Sequence, residues 1–377
     1  MRNTILGIIV GIVLGIMAGA TVIAPGLENA RTPYLNPSNG LTKASEKTAL
    51  KPVTKLRIVS LFPATDKLMA DIGQHLRNTI TESSDGNIHI GLFTPNMLMP
   101  AQDTFNAVRS GTVEAALASP NQFNKKSLAL QLFSAIPFGP GATELTAWFY
   151  HGGGKALFEE QFRRRDVHAI LCGILPASGA GWYKFPIHSL DEFKGLKIRS
   201  QSLSAHVMEK MGANIQSLDI EHTLSGLKDG QLDGAENALP SMDQGLGFPR
   251  FVKNYYFPSW QQPSRVLSLI INAKTWKQLS PQNVLSIEHA CQNNVHFSLT
   301  LANAVQFKAL KGLALSGVRI HQWPQPVLNA FKHNWLRSTR TLSQQDPAFK
   351  VIWQSLVKFR QDYSIWQELS HLQNSAE

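Results

Sequence analysis

A regular alternation of short strands and helices between residues 194 and 240 constrains the fold of this 377-residue chain most strongly. The predicted elements are, in order, strand Lys197–Arg199, helix Ser200–Met211 ended by Gly212, strand Asn214–Leu218, helix Glu221–Lys228 and strand Asp233–Asn237. Strands that alternate with helices through tight turns are typical of a parallel sheet. The segment therefore predicts an α/β fold.

Two polar residues of this segment stand at the ends of predicted strands. Arg199 closes the first strand, and Glu236 lies at the end of the third. Ligands of open α/β sheets bind just beyond the carboxyl ends of the strands. The planar guanidinium of an arginine can hold a carboxylate through two parallel hydrogen bonds. Arg199 is therefore a candidate carboxylate clamp, and the alternative is an ordinary arginine on a surface turn.

Size and charge narrow the class of protein. A chain of this length can bury a large core and form two lobes. The 36 Lys and Arg residues against 26 Asp and Glu give a formal charge of +10. The basic residues are scattered, without the dense runs and interleaved aromatics of a nucleic-acid-binding surface, so no nucleic-acid partner is predicted. The two cysteines, Cys172 and Cys291, lie among apolar residues and are interpreted as small core side chains rather than as a disulfide framework.

Residues 1–25 carry an uncharged apolar run after Arg2 that is long enough, at about 30 Å, to cross a bilayer. Gly7, Gly11, Gly15 and Gly19 would form a stripe on one helix face, a spacing that lets membrane helices pack closely. We expect an uncleaved N-terminal anchor, with Arg2 keeping the N-terminus cytoplasmic. The alternative is a cleaved signal peptide with its exit site at residues 18–20. Residues 26–54 then predict a linker rich in Pro, Ser and Asn.

No catalytic constellation emerges, and no enzyme is predicted. His151-Gly152-Gly153-Gly154 matches an oxyanion-hole motif of some esterases, but the sequence has no nucleophile elbow to accompany it. These glycines are more simply the break between two helices, 142–150 and 155–163. The twelve histidines show no metal-ligand spacing.

Several motifs together resemble the substrate-binding subunits of tripartite ATP-independent periplasmic (TRAP) transporters, the DctP-type family. The carrying segments are Asp191–Arg199, the Gly226-Leu227, Gly230 and Asp233–Glu236 pattern, Phe133–Gly139, Trp148–Gly154 and Asn254–Trp260. The resemblance runs from about residue 56 to the C-terminus. The branch that binds 2-oxo monocarboxylates is the most similar.

The resemblance implies a two-lobed periplasmic-binding-protein-like α/β fold with a hinge cleft, a long interlobe helix and C-terminal helices. The expected division is lobe I at residues 55–175, lobe II at 176–264, and a return strand to lobe I, the long helix and the C-terminal helices at 265–377. It also leaves open a homodimer formed through a C-terminal helix. The aromatic stripes of the C-terminal helices are interpreted as core packing, and an exposed stripe would instead favour the dimer.

The resemblance further implies a binding site between the lobes. Arg199 would clamp a carboxylate, and Glu236 and Asn237 would hold a metal ion or a hydroxyl or keto oxygen of the ligand. Ser178, Trp182, Trp260 and Gln262 would shape the pocket. The family's cation, Na⁺ or Ca²⁺, would contact the positions of Glu236, Asn237 and Gln262, whose oxygens suit hard cations.

The sequence departs from the family at four of these places. Asn237 replaces an aromatic residue, Gln262 replaces a glutamate, and Ser178 replaces a glutamine. Ser119–Phe123 lacks a ligand-contacting tyrosine. The glycine-rich segment 176–182 is expected to let backbone approach the ligand.

These expectations define a receptor in the periplasm, anchored to the inner membrane. It would capture a 2-oxo acid, hydroxy acid or dicarboxylate and deliver it to TRAP membrane permease subunits. The alternative is a membrane-tethered sensory or scaffold protein of the same fold that feeds no permease.

Overall fold

The computed structural model describes residues 53–124, 127–201 and 203–370. The predicted anchor at residues 1–25 and nearly all of the predicted linker lie outside these residues. Within the described ranges, no helix is both long and apolar enough to cross a membrane. The mixed α/β architecture with two sheets confirms the predicted fold class.

The strands in chain order are β1 Thr54–Ser60, β2 Ile88–Phe93, β3 Ala115–Ala118, β4 Val167–Leu175, β5 Gly181–Tyr183, β6 Lys197–Arg199, β7 Asn214–Gln216, β8 Gly234–Ala235, β9 Asn254–Tyr256, β10 Arg265–Asn272 and β11 Arg319–His321. The helices are α1 Lys67–Ser83, α2 Thr104–Ser110, α3 Pro120–Phe123, α4 Leu128–Leu132, α5 Ala142–His151, α6 Gly154–Arg163, α7 Leu203–Lys210, α8 Ile220–Lys228, α9 Pro240–Leu246, α10 Ala273–Gln278, α11 Pro281–Leu315, α12 Gln325–Gln345 and α13 Pro347–Leu369. Short 3₁₀ turns occur at Ala101–Asp103, Asp191–Phe193 and Phe248–Arg250.

The first sheet has five strands in the order β2-β1-β3-β10-β4. Strands β1, β2 and β3 are parallel, whereas β10 runs antiparallel to both β3 and β4. This direction brings the first residue of β10 to the same edge as the carboxyl ends of β1 and β3. The strands are almost continuously apolar because helices cover both faces of such sheets.

The second sheet has six short strands in the order β11-β9-β5-β8-β6-β7. Strands β6, β7 and β8 pair in parallel, as the alternation between residues 194 and 240 predicted. Arg199 pairs in register with Ala235, so Arg199 and Glu236 emerge side by side at one edge.

Helix α11 is 35 residues long and packs on both sheets. Ile287 and Cys291, near its start, belong to an apolar cluster with strands of the first sheet. Leu313, near its end, packs with Trp182 and Tyr255 of the second sheet. The helix therefore links the two sheets, as the long interlobe helix was predicted to do.

The interpretation of the cysteines as separate core side chains is wrong. Cys172 of β4 and Cys291 of α11 are both fully buried, but their sulfurs form a disulfide with a Cα–Cα distance of 4.2 Å. The two residues are 119 positions apart in sequence, and only the packing of α11 against β4 brings them together. Such bonds persist in oxidising compartments outside the cytosol.

The triple glycine after His151 ends one helix and begins the next, as predicted. Gly153 has a φ of +89°, which favours glycine, and it lies between α5 and α6. A side chain on Gly154 would collide with backbone of Phe149, at 2.8 Å. The motif therefore has a packing role.

Core packing explains most of the C-terminal aromatic stripe. Trp335, Phe349 and Leu356 are buried on α12 and α13. Trp366, at the end of α13, is 64% exposed and is not a core residue.

Candidate ligand-binding site

A cleft of about 510 Å³ is bordered by residues that follow strands of both sheets. Leu61 and Ser119 come after β1 and β3, and Arg199 and Glu236 after β6 and β8. Arg265, the first residue of β10, completes this edge because β10 runs in the opposite direction. The cleft therefore lies where the carboxyl ends of two sheets face each other, the usual place for a ligand in α/β proteins.

Arg199 is held in place by backbone oxygens of its own sheet. Its Nε donates to the carbonyl of Leu218 at 3.1 Å, and its Nη1 donates to the carbonyl of Glu236 at 2.7 Å. These two bonds fix the guanidinium plane and leave Nη2 for a ligand in the cleft. Burial lowers the pKa of Arg199, but an arginine remains protonated at any physiological pH.

Glu236 is only 5% exposed and has its carboxylate beside two hydroxyl groups. Its Oε2 accepts hydrogen bonds from Ser200 Oγ at 2.6 Å and from Ser204 Oγ at 3.0 Å. Its Oε1 is buried and accepts no well-formed hydrogen bond, although the nearby amide of Gln261 favours the charged form. Burial nevertheless raises the pKa of Glu236 above its ordinary value.

Asn237 is oriented by a buried carboxylate behind the cleft. Asp243 Oδ1 accepts from the Asn237 side-chain amide at 2.7 Å and from the backbone N–H of Ala238 at 3.1 Å. Asp243 Oδ2 accepts from the indole N–H of Trp182 at 2.8 Å. Desolvation raises the pKa of Asp243 to about 6, despite these three donors.

Trp182 therefore acts behind the wall of the cleft and does not border it. It is fully buried, stacks on Phe248 and holds Asp243. Trp260 is also behind the wall, at 4% exposure, with its ring stacked on Phe138 and Phe331. Both tryptophans position the lining rather than contact the space that a ligand would occupy.

Gln262 lines the cleft, and its side-chain oxygen serves two donors. Oε1 accepts from Ser178 Oγ at 3.1 Å and from Arg265 Nη2 at 2.5 Å. Ser178 is 3% exposed and also donates its backbone N–H to the carbonyl of Gln262. Ser178 therefore supports Gln262 and does not reach the cleft itself.

The glycine-rich segment does not bring backbone to the cleft at Gly179. A side-chain carbon there would lie 2.1 Å from the hydroxyl of Tyr255. The close approach that requires glycine is thus made to an aromatic ring of the second sheet, and the approach of segment 176–182 to a ligand remains a prediction.

Arg265 is a charged residue of the cleft that the sequence did not single out. Besides Gln262, its Nη2 lies 3.5 Å from the carbonyl oxygen of Asn237. Burial lowers the pKa of Arg265, and repulsion from the Arg199 charge lowers it further. The apolar pattern of β10 predicts the strand. The single charged residue at its start was the only sequence signal that could have indicated a place in the cleft.

Neither arginine of the cleft forms an ion pair with a described carboxylate, although the more distant charge of Asp243 acts on both. Among the described residues, neither guanidinium lies within 4 Å of a carboxylate oxygen, although nine other Lys or Arg ion pairs do form. A buried charge without a partner is costly, so such sites complement a ligand of opposite charge. The cleft is therefore chemically suited to an anion.

The opposite wall of the cleft is apolar. Phe62, Leu68, Met242, Leu301 and Val305 border the cleft and belong to one apolar cluster. These residues come from α1, α9 and α11 and from the turn after β1. A ligand here would meet charge and hydrogen-bond donors on one side and hydrocarbon on the other.

The three residues predicted to hold a cation do meet in the cleft, but a guanidinium already faces oxygens of two of them, and of the third, Glu236, only Oε1 lacks a hydrogen-bond donor among the described residues. Arg265 lies against the side-chain oxygen of Gln262 and faces the carbonyl of Asn237. Within the described part of the chain, no three His, Cys, Asp or Glu side chains lie together as metal ligands. One carboxylate beside a guanidinium is a poor donor set for Ca²⁺ or Na⁺. As they stand, these residues do not fit the cation.

The fold and the cleft define a two-lobed solute-binding protein. The chain belongs to the DctP family of bacterial extracellular solute-binding proteins, family 7, whose model matches residues 60–345. It is 29% identical over 337 residues to a monocarboxylate 2-oxoacid-binding periplasmic protein of Nostoc sp., a match that covers 88% of this chain and 91% of that protein.

Solved structures of TRAP solute-binding proteins are similar to this chain. One from Bordetella bronchiseptica, a dimer with copurified calcium and picolinate, has a TM-score of 0.80 at 26% identity, covering 84% of this chain and 95% of the other. One from Pseudoalteromonas atlantica, with bound sodium and pyruvate, has a TM-score of 0.78 at 24% identity, covering 84% and 96%. The latter likeness concerns the fold.

Proposed function

We propose that this protein is the solute receptor of a TRAP-type uptake system and that its ligand is a small carboxylate of the 2-oxo acid class. The observation that carries the proposal is the pair of half-buried arginines, Arg199 and Arg265, that border one cleft, neither of them within 4 Å of a carboxylate oxygen of a described residue. Arg199 would take the ligand carboxylate, since no described residue accepts a hydrogen bond from its Nη2 while Nε and Nη1 are fixed.

Neighbouring donors suit the second functional group of such a ligand. The oxygen of Gln262 is engaged by Ser178 and Arg265, so its amide N–H groups remain for an acceptor in the cleft. A 2-oxo group is an acceptor without a proton, and it therefore matches an amide donor and a guanidinium better than a hydroxyl does. Relatives support the same class: one binds monocarboxylate 2-oxo acids and another holds pyruvate, whereas the picolinate of a third supports a small carboxylate more generally.

The apolar wall suits a ligand that has a carbon chain beyond its carboxylate. Met242, Leu301 and Val305 would contact the carbon chain of the acid, and the cleft is large for a three-carbon ligand. Closure of the two lobes around the ligand would remove this hydrocarbon from water and would supply part of the binding free energy. The loaded, closed form would then deliver the acid to the permease.

Placement of the receptor follows from the family and the chemistry of the chain. The disulfide Cys172–Cys291 agrees with an oxidising periplasm. Residues 1–25 would anchor the receptor in the inner membrane.

No observation on the described residues favours the sensory or scaffold alternative or a catalytic role. Exposed Ile365, Trp366 and Leu369 at the end of α13 would serve a homodimer contact.

A thermal-shift screen of the purified full chain tests the function. The panel holds pyruvate, longer and branched 2-oxo acids, lactate and a C4-dicarboxylate, each with chelator, Na⁺ or Ca²⁺. A ligand at a hundred times its dissociation constant stabilises the folded form by about 2.7 kcal/mol, an easily measured shift. We expect the 2-oxo acids to give the largest shifts. No shift with any acid under any cation condition would overturn the proposed function.

A further inference from the structure

Arg265 occupies an unusual position relative to the cation site that the resemblance implied. Its Nη2 donates to Gln262 Oε1 and faces the carbonyl oxygen of Asn237 at 3.5 Å. Gln262 and Asn237 are two of the three residues predicted to ligate Na⁺ or Ca²⁺. The guanidinium therefore contacts the oxygens that a metal ion would have contacted.

The third residue, Glu236, is arranged consistently with this substitution. Its Oε2 accepts from Ser200 and Ser204, two neutral donors that already satisfy one carboxylate oxygen. The side chain at position 262 is a neutral amide, so the cleft offers one carboxylate where the resemblance implies two. A site with fewer anionic ligands binds hard cations more weakly, and a fixed positive charge in contact with the remaining oxygens opposes them further.

The residues that contact Arg265 are themselves held by hydrogen bonds, as the ligands of a metal ion are held by the residues around them. Ser178 donates to Gln262 Oε1, which fixes the amide so that its oxygen faces Arg265. Asp243 holds the Asn237 side chain through its amide nitrogen, which fixes the residue whose carbonyl faces Arg265. Outer contacts of this kind orient the groups that hold a charge. Arg265 itself is a fully protonated side chain whose charge needs no ion from solution.

We propose that Arg265 replaces the cation of the relatives, so that this receptor binds its acid through two guanidinium groups and without a metal ion. The inference rests on the proposed function. Arg199 binds the carboxylate from the second sheet, and Arg265 faces the 2-oxo oxygen from the first sheet. The resulting site discriminates by fixed geometry, and its affinity does not depend on the Na⁺ or Ca²⁺ around it.

Calorimetry of the full chain with the best acid of the panel tests the first part. Titrations are made in sodium-free buffer with chelator, and then with added Na⁺ or Ca²⁺. We expect dissociation constants that agree within about twofold, less than half a kcal/mol at the usual conversion. An affinity that rises by about tenfold or more with either cation, and falls again on chelation, would overturn the inference while leaving the proposed function intact.

Variants of Arg265 test the second part. Arg265→Ala should weaken binding in chelator by about tenfold or more, and Arg265→Lys, which keeps the charge, should recover part of the loss. The double change Arg265→Ala with Gln262→Glu restores a second carboxylate, and it should make binding depend on Ca²⁺. Arg340→Ala, an exposed arginine on α12, is the matched control and should change nothing. Circular dichroism of each variant verifies folding.

Terbium luminescence, sensitised by the tryptophans near the cleft, gives a readout that needs no acid. A Tb³⁺ signal counts as binding at this site if it saturates and is removed by Glu236→Gln. The wild-type chain should show no such signal, whereas the double variant should show one. If the wild type shows that signal, the inference fails even if every acid binds. If the wild type lacks it and no acid binds, the proposed function fails and the acid-binding part of the inference fails with it, whereas the absence of a cation site at Glu236 stands.

Discussion

The two sheets each bring one arginine to the cleft, and they hold it in different ways. The second sheet fixes Arg199 with the carbonyls of Leu218 and Glu236, which lie within the same sheet and its connections. The first sheet presents Arg265 from the start of β10, and its Nη2 is held by a side chain and a carbonyl outside that strand. Backbone oxygens cannot change rotamer, so Arg199 is preorganised by its own fold, whereas Arg265 depends on the surrounding side chains.

The sheets also differ in what stabilises them. The first is long-stranded and carries the Cys172–Cys291 disulfide against α11. The second has strands of two or three residues, and buried polar contacts such as Trp182–Asp243–Asn237 lie at its centre. The second lobe therefore gains precision from hydrogen bonds, and the first gains stability from covalent and apolar packing.

Arg199→Ala should cause the largest loss of ligand affinity, and it would distinguish the role of Arg199 from that of Arg265 most clearly. Loss of one partner of a buried charged pair costs about 2–5 kcal/mol of binding, equivalent to a loss of affinity of about thirtyfold or more. Arg199→Lys keeps the charge without the fork and should lose less. Calorimetry with a 2-oxo acid measures both variants, and an Arg199→Ala affinity close to that of wild type would contradict the assignment of the clamp.

Removing the disulfide should affect stability and not the site. The double change Cys172→Ala with Cys291→Ala is expected to lower the free energy of unfolding by about 2–4 kcal/mol, because the bond closes a long loop. Chemical denaturation measures the loss, and ligand affinity should be unchanged because the bond lies in the first sheet's core. In reducing buffer, the difference between the variant and the wild type should shrink. A loss of binding free energy as large as the loss of unfolding free energy would show that the disulfide of the first sheet also supports the binding site.

Asp243 predicts a pH dependence that belongs to the second lobe. Its folded pKa of about 6 lies above the usual value near 4, so the folded protein keeps a proton that the unfolded chain releases. The contribution of Asp243 to stability should therefore be greatest below about pH 4 and fall by up to about 3 kcal/mol as the pH rises through about 6. Denaturation at several pH values, compared with Asp243→Asn, isolates this slope. A constant difference between the two proteins across that range would contradict it.

The smallest expected loss of ligand affinity comes from shortening a side chain of the apolar wall. Met242→Ala should weaken the binding of a branched 2-oxo acid by about 1 kcal/mol through lost burial, and should leave pyruvate almost unchanged. Leu315→Ala, at a position 80% exposed at the end of α11, is the matched control. Equal losses for pyruvate and the branched acid would place the carbon chain elsewhere in the cleft.

The second lobe was the more predictable region. Strand Lys197–Arg199 has its predicted bounds, and the parallel pairing of β6, β7 and β8 followed from a local alternation of strands and helices. The short elements α3, α4, α9 and β5 were not predicted, because segments of three to seven residues are too short to show a period. The lobe boundaries remain a prediction.

The sequence by itself determined the α/β class, the family, and the position of Arg199 and Glu236 at neighbouring strand ends, because each depends on patterns within a few tens of residues. Only the tertiary structure decided what those residues face. Arg265 acquires its role from Gln262 and Asn237, the disulfide joins residues 119 positions apart, and Trp182 reaches Asp243 across the second sheet. Periodicity records which face of an element is apolar, but the partner that each polar side chain finds depends on how the elements pack.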